Sequence, residues 1–134
     1  MQNSVLRAEP AQLHGDFARW QSGSRRFQIA IAGLSFRNRR YLEITLLDEG
    51  QPRGGPQIRP EDVAIVAHAI EQARSGARLD WTALESSTTT DVGTEIGAVL
   101  FRSSARASRP RVIPPEHVDD LEAALGWLLE GGTP

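Results

Sequence analysis

Two stretches of the chain alternate apolar and polar residues with period two. Phe27, Ile29 and Ile31 are interleaved with Gln28, Ala30 and Ala32, and Leu42, Ile44 and Leu46 with Tyr41, Glu43 and Thr45. This period places each set on one face of a pleated ribbon, so the pattern predicts two half-buried strands. The segment QSGS, Gln21 to Ser24, suits a tight turn, and GDFARW before it reads as the first strand of a hairpin. Leu13, Phe17 and Trp20 also share a helical face, so a short helix from Ala11 to Trp20 is the rival; Gly15 weakens it, and the strand is preferred.

The joint EGQPRGGPQ reads as a loop. Ile58 then opens a short strand running into Arg59-Pro60-Glu61-Asp62, where a proline followed by two acids marks a helix start. Val63, Val66, Ala67 and Ile70 keep helical spacing, and GARLD after Ser75 ends the helix.

The second half repeats this plan. Superposing Pro60 on Pro115 matches Ile58 with Ile113, Glu61 with Glu116 and Val63 with Val118, and without a gap sets Leu42, Ile44 and Leu46 on Gly97, Val99 and Phe101. The helix face Val63, Val66, Ile70 and Ala73 falls on Val118, Leu121, Leu125 and Leu128. Strand parity and helical phase both survive the shift. The expected fold class is therefore α+β: two tandem units, about 15–75 and 76–131, each an antiparallel sheet of about four strands followed by a helix, packed as one domain over residues 1–134. Each sheet is expected to bury one face under its own helix and to leave the other to solvent or a ligand. One unit of about 55 residues would be marginally stable alone, so pairing of units is the natural remedy.

Composition narrows the chemistry. There is no cysteine, so disulfides, thiolate catalysis and zinc–thiolate sites are excluded. All 15 basic residues are arginine, which removes Schiff-base chemistry and a phosphate-loop lysine. His14, His68 and His117 lie far apart without metal-ligand spacing, and no nucleophile elbow, phosphate loop or dinucleotide fingerprint occurs. Serine and threonine in SSTTTD need no catalysis to explain them at a strand edge. No enzyme activity, metal or cofactor is expected. MQNSVLRAEP has polar and charged residues where a signal peptide has an apolar core, and no apolar run approaches a membrane span, so a cytoplasmic protein is expected.

Charge is distributed unevenly. Met1 to Arg59 carries nine arginines against five carboxylates, a net of +4, whereas Pro60 to Pro134 carries six against twelve, a net of −6. Most of the arginine falls in or beside the expected strands and most of the acid in the expected helices. A basic sheet with acid held apart is what an anion-binding sheet needs, although a pI of about 5.9 is far below that usual for a nucleic-acid-binding domain.

The order of four strands and a helix, repeated twice with each helix opening on proline and acid, resembles the superfamily of single-stranded nucleic-acid-binding proteins that contains PUR repeats, the transcriptional coactivator PC4 and the plant Whirly proteins. QSGSRRFQIAIAGLSFRNRRYLEITLL is similar to the PUR pattern, while ARSGARLDWTALESS and the later AALGWLLEGG are closer to the Whirly arrangement. The resemblance spans roughly Gly15 to Gly131. It implies a non-catalytic DNA- or RNA-binding protein acting as a transcriptional or nucleoid regulator. It also implies a contact turn between the second and third strands, where Ser35, Phe36, Arg37, Asn38 and Arg39 stand; the family's glycine is replaced by Arg39 and Arg40. The matching TTTDVGTE of the second unit has no basic residue.

The candidate contacts are then Arg25 and Arg26, of which only one would face the ligand on a strand; Phe36, Arg37, Asn38, Arg39 and Arg40 in the turn; Tyr41 on the exposed strand face; and Arg53, Arg102, Arg106, Arg109 and Arg111 in two basic loops at matching places. Arginines would neutralise phosphates, and Phe36 and Tyr41 would offer rings to unstacked bases. Trp20 and Trp81 beside strand starts are expected in the core. Glu43 shares the strand face of Tyr41 and opposes phosphate binding. A homodimer or higher homo-oligomer is expected, with Trp127, Leu128 and Leu129 as its contacts. The alternative is a protein-interaction module, such as an immunity protein, antitoxin or secretion chaperone, binding a protein partner through Asp119, Asp120 and Glu122.

Overall fold

The computed structural model describes residues 10–104 and 109–131. Nine strands and two α-helices occur among the described residues, arranged as an α+β fold. Strands β1 (Gln12–Gln21), β2 (Phe27–Phe36), β3 (Arg39–Asp48), β4 (Gln51–Pro52) and β5 (Gln57–Ile58) form one antiparallel sheet, with β4 and β5 both pairing with β3. Helix α1 (Val63–Arg74) follows. Strands β6 (Leu79–Ala83), β7 (Thr90–Glu95), β8 (Ala98–Ser103) and β9 (Arg111–Ile113) form the second sheet in sequential order, and helix α2 (Val118–Gly131) follows. The hairpin strand before QSGS is thus β1, not a helix. Gly15 sits at φ +136° beside an irregularity in the β1–β2 pairing, where its freedom is used.

Both helices begin as expected. Pro60 and Pro115 each open a short 3-10 turn, and the α-helices start at Val63 and Val118. The strands obey a different offset. Ile58 pairs with Leu42, whereas Ile113 pairs with Val99, so Val99 and not Gly97 is the counterpart of Leu42. The first hairpin runs two residues further before turning, and a gapless match of the two units could not represent that.

The helices are exchanged between the units. Helix α1 packs on β6, β7 and β8 of the second sheet, and α2 packs on β1, β2 and β3 of the first. The expectation that each sheet lies under its own helix is therefore corrected. Ile31, Leu42 and Ile44 of the first sheet, Val92, Val99 and Phe101 of the second, Val66 and Ile70 of α1, and Leu121 and Leu128 of α2 join in one buried cluster. Neither sheet can bury its apolar face without the other unit, which removes the marginal stability of a single unit.

The exchange also corrects the expected oligomer contacts. Leu128 is fully buried within the chain, and Trp127 lies against the first sheet, close to Gly33 and Phe17, with the Arg40 guanidinium 4.5 Å from its ring centroid. Only Leu129 of that trio is exposed.

Candidate nucleic-acid interface

The β2–β3 hairpin turns on two residues, Arg37 at φ +53° and Asn38 at φ +62°. Two successive left-handed residues define the tight turn whose twist matches a hairpin, and asparagine tolerates the second place where glycine is common. Arg37, Asn38 and Arg39 are exposed at this tip. Phe36 is half-buried with the Arg37 guanidinium 5.1 Å from its ring centroid. Arg40 is turned inward, donating from Nη1 to the Trp127 carbonyl at 2.7 Å, so it pins the hairpin to α2.

Tyr41 is not available for stacking. It is only 7% exposed, with the Arg59 guanidinium 5.0 Å from its ring centroid, and burial raises its hydroxyl pKa. The face of the first sheet away from α2 is lined by short side chains, Ala30, Ala32 and Thr45, alongside Glu43, Gln57 and Arg59. By the same register Phe36 and Tyr41 lie on this face, Tyr41 buried and Phe36 half-buried at its hairpin end. Arg25 and Arg26 precede β2 in a turn, so the expected strand alternation does not apply and both are exposed. Arg26 and Arg53 share the carboxylate of Asp48, at 2.5 and 2.7 Å, which holds that acid down at about 2.

The two basic loops do meet. Arg53, Arg59, Arg102, Arg109 and Arg111 line one cavity of about 650 Å³ where the β4–β5 segment of the first unit faces β8 and β9 of the second. Ser86, Ser87 and Thr90 add hydroxyls, and Glu43 is the one carboxylate among the lining residues. Arg106 lies outside the described residues. Arg59 escapes a reading of the sequence because its place before Pro60 looks like helix-start punctuation.

Each arginine is held differently. Arg102 donates from Nε to Asp91 at 2.9 Å and lies 4.4 Å from the centroid of Trp81, leaving both terminal nitrogens for a ligand. Arg59 donates from Nη2 to Gln57 Oε1 at 3.0 Å. Arg109 is exposed and forms no ion pair among the described residues. Arg111 reaches across the junction, donating to the carbonyls of Ile44, at 2.6 Å, and Gly54; burial lowers its pKa. A side chain at Gly55 would collide with that guanidinium and with the Ile44 carbonyl, which explains the glycine.

Trp81 departs from its expected core position. It lies on the edge strand β6 at 36% exposure, the most open of the three tryptophans. Trp20 is half-buried and stacks on His117, ring centroids 4.8 Å apart. The run SSTTTD supports the start of α1. Ser86 donates through its amide and hydroxyl to buried Asp62, which also accepts from the Arg59 amide at 2.8 Å. On the helices, Asp119 and Glu122 are both paired with Arg74, and Asp120 contacts His117 at 2.9 Å. No group of residues that could hold a metal ion occurs among the described residues, and no helix there is long and apolar enough to cross a membrane. No protein-family model, curated protein or solved structure matches the chain.

Proposed function

We propose that this protein binds single-stranded nucleic acid without catalysis, anchoring its phosphates in the arginine cavity between the two units. The observation that carries the reading is the gathering of five arginines from both units around one cavity in which Glu43 is the one acidic residue among the described lining residues. Arg53 and Arg102 are each also paired to a carboxylate outside the lining, Asp48 and Asp91. Guanidinium groups offer several fixed donors to phosphate oxygens, and Arg102 and Arg59 are oriented by neighbours while keeping unused donors. A cavity of about 650 Å³ has the size of a small-molecule site. It suits one or two flexible nucleotides better than a rigid duplex. Trp81, open beside Arg102, supplies a face for a neighbouring base.

The acidic-helix alternative finds less support, because Arg74 already neutralises Asp119 and Glu122 within the chain. If copies associate, the edge strands β1 and β6 are among the surfaces they have to offer, with Leu13 of β1 exposed. Replacing Arg59, Arg102 and Arg109 by alanine tests the reading: oligonucleotide affinity should fall by more than about tenfold at low salt. The same loss on replacing Arg37 and Arg39, with the cavity variant unaffected, would move the site to the hairpin tip.

A further inference from the structure

We propose that Glu43 reads the base of the nucleotide held in this cavity, favouring bases with an exocyclic amino group over thymine or uracil. The inference rests on the single-strand reading above and adds a specificity to it.

Glu43 is out of place in a site built only for anions. It lines the cavity with five arginines, yet no salt bridge ties it to any of them among the described residues, and its charge acts on Arg111 only at longer range. Asp48 and Asp91 behave otherwise, pairing with Arg26, Arg53 and Arg102. Neutral donors fix Glu43 instead. Its Oε1 accepts from the Thr45 hydroxyl at 2.7 Å, and its Oε2 lies 3.5 Å from the Gln57 amide nitrogen, the outer limit of a hydrogen bond. Gln57 in turn accepts from Arg59, so one amide orients both the carboxylate and a candidate phosphate-binding arginine.

A carboxylate has about four acceptor positions, and these two bonds leave acceptor capacity on both oxygens. Against a bare phosphate that capacity is a cost. It becomes useful if the ligand carries donors beside its phosphate. Cytosine presents an amino group at C4, and a carboxylate is its ordinary partner; adenine and guanine also carry amino groups. Thymine and uracil present a carbonyl oxygen at C4, which would face the carboxylate acceptor to acceptor, and the one ring donor they offer, N3–H, is flanked by carbonyl oxygens on both sides. Leaving a polar group so opposed once the ligand has covered it is the strong form of discrimination.

The test is fluorescence anisotropy with labelled oligo-dC and oligo-dT of equal length, at slightly alkaline pH so that cytosine tracts stay unpaired. Wild-type protein should bind oligo-dC about tenfold more tightly than oligo-dT. Glu43→Ala and Glu43→Gln should bring that ratio close to one while strengthening oligo-dT binding. Thermal unfolding by circular dichroism identifies any variant that has lost its fold, and the other variant then carries the comparison. A wild-type ratio near one, or a ratio that both folded variants retain, overturns the role of Glu43 and leaves the single-strand reading intact. Failure of the wild type to bind either strand overturns both.

Discussion

The guanidinium of Arg102 lies 4.4 Å from the centroid of the Trp81 ring, and its Nε is tied to Asp91 at 2.9 Å. The pair joins the edge strand β6 to β8 across β7 and links Trp81, 36% exposed, to an arginine that lines the basic cavity. Truncating Trp81 to alanine should weaken single-strand binding by about 1–3 kcal/mol, the usual loss of one base stack. Asp91→Asn should weaken it less, because Arg102 then loses its anchor but keeps its charge. Equal affinity for wild type and Trp81→Ala in an anisotropy titration would remove Trp81 from the interface.

Arg111 serves the junction more than the ligand, since Nη1 is engaged by the Ile44 and Gly54 carbonyls of the other unit. Gly55→Ala should therefore destabilise the protein by about 1–3 kcal/mol, because the new methyl must displace that guanidinium or the β3 backbone. Urea unfolding measures it, and an unchanged midpoint would show that the loop yields freely.

Helix exchange makes α2 part of the first unit's core. Leu128→Ala should cost about 2–5 kcal/mol, and truncation before Gly126 should abolish cooperative unfolding. A truncated chain that still unfolds in one sharp transition would contradict the packing of α2 on β1, β2 and β3.

The elements themselves are legible in the sequence, and their pairing is not. Alternation of Ile29 and Ile31 with Ala30 and Ala32 announces β2, and Pro60 with Glu61 and Asp62 announces α1, because these are local signals. Which sheet receives α1 depends on contacts such as Val66 with the second unit's core, and an apolar helix face fits either sheet equally well. The candidate site divides in the same manner. Arg53, Arg102, Arg109 and Arg111 can be grouped because their loops occupy matching places in the repeat, and they share a cavity. Tyr41 defies its expected exposure because strand parity assigns a face but cannot reveal that Arg59 lies across it.

Acid should unfold the protein partly through Asp48. Its hydrogen bonds to Arg26 and Arg53 hold it at about 2 in the folded chain, against an ordinary value of 3.8, and Arg74 shifts Glu122 in the same direction. A depressed folded value means stability present above the ordinary value and lost as pH falls toward the folded one. The urea midpoint should stay level from neutral pH to about 5 and fall between about pH 4 and 2. Asp48→Asn should flatten part of that fall; the same acid-side slope in both proteins would show that the pair forms equally in the unfolded chain.

The most direct measurement for the central claim is anisotropy of labelled single-stranded and duplex oligonucleotides of one sequence, titrated at low and at physiological salt. Tighter binding to the single strand, weakening steeply as salt rises, is the predicted result, because phosphate contacts would release counterions and the proposed site would take flexible nucleotides more readily than a rigid duplex. Equal affinity for duplex and single strand, or no binding at low salt, would contradict the claim.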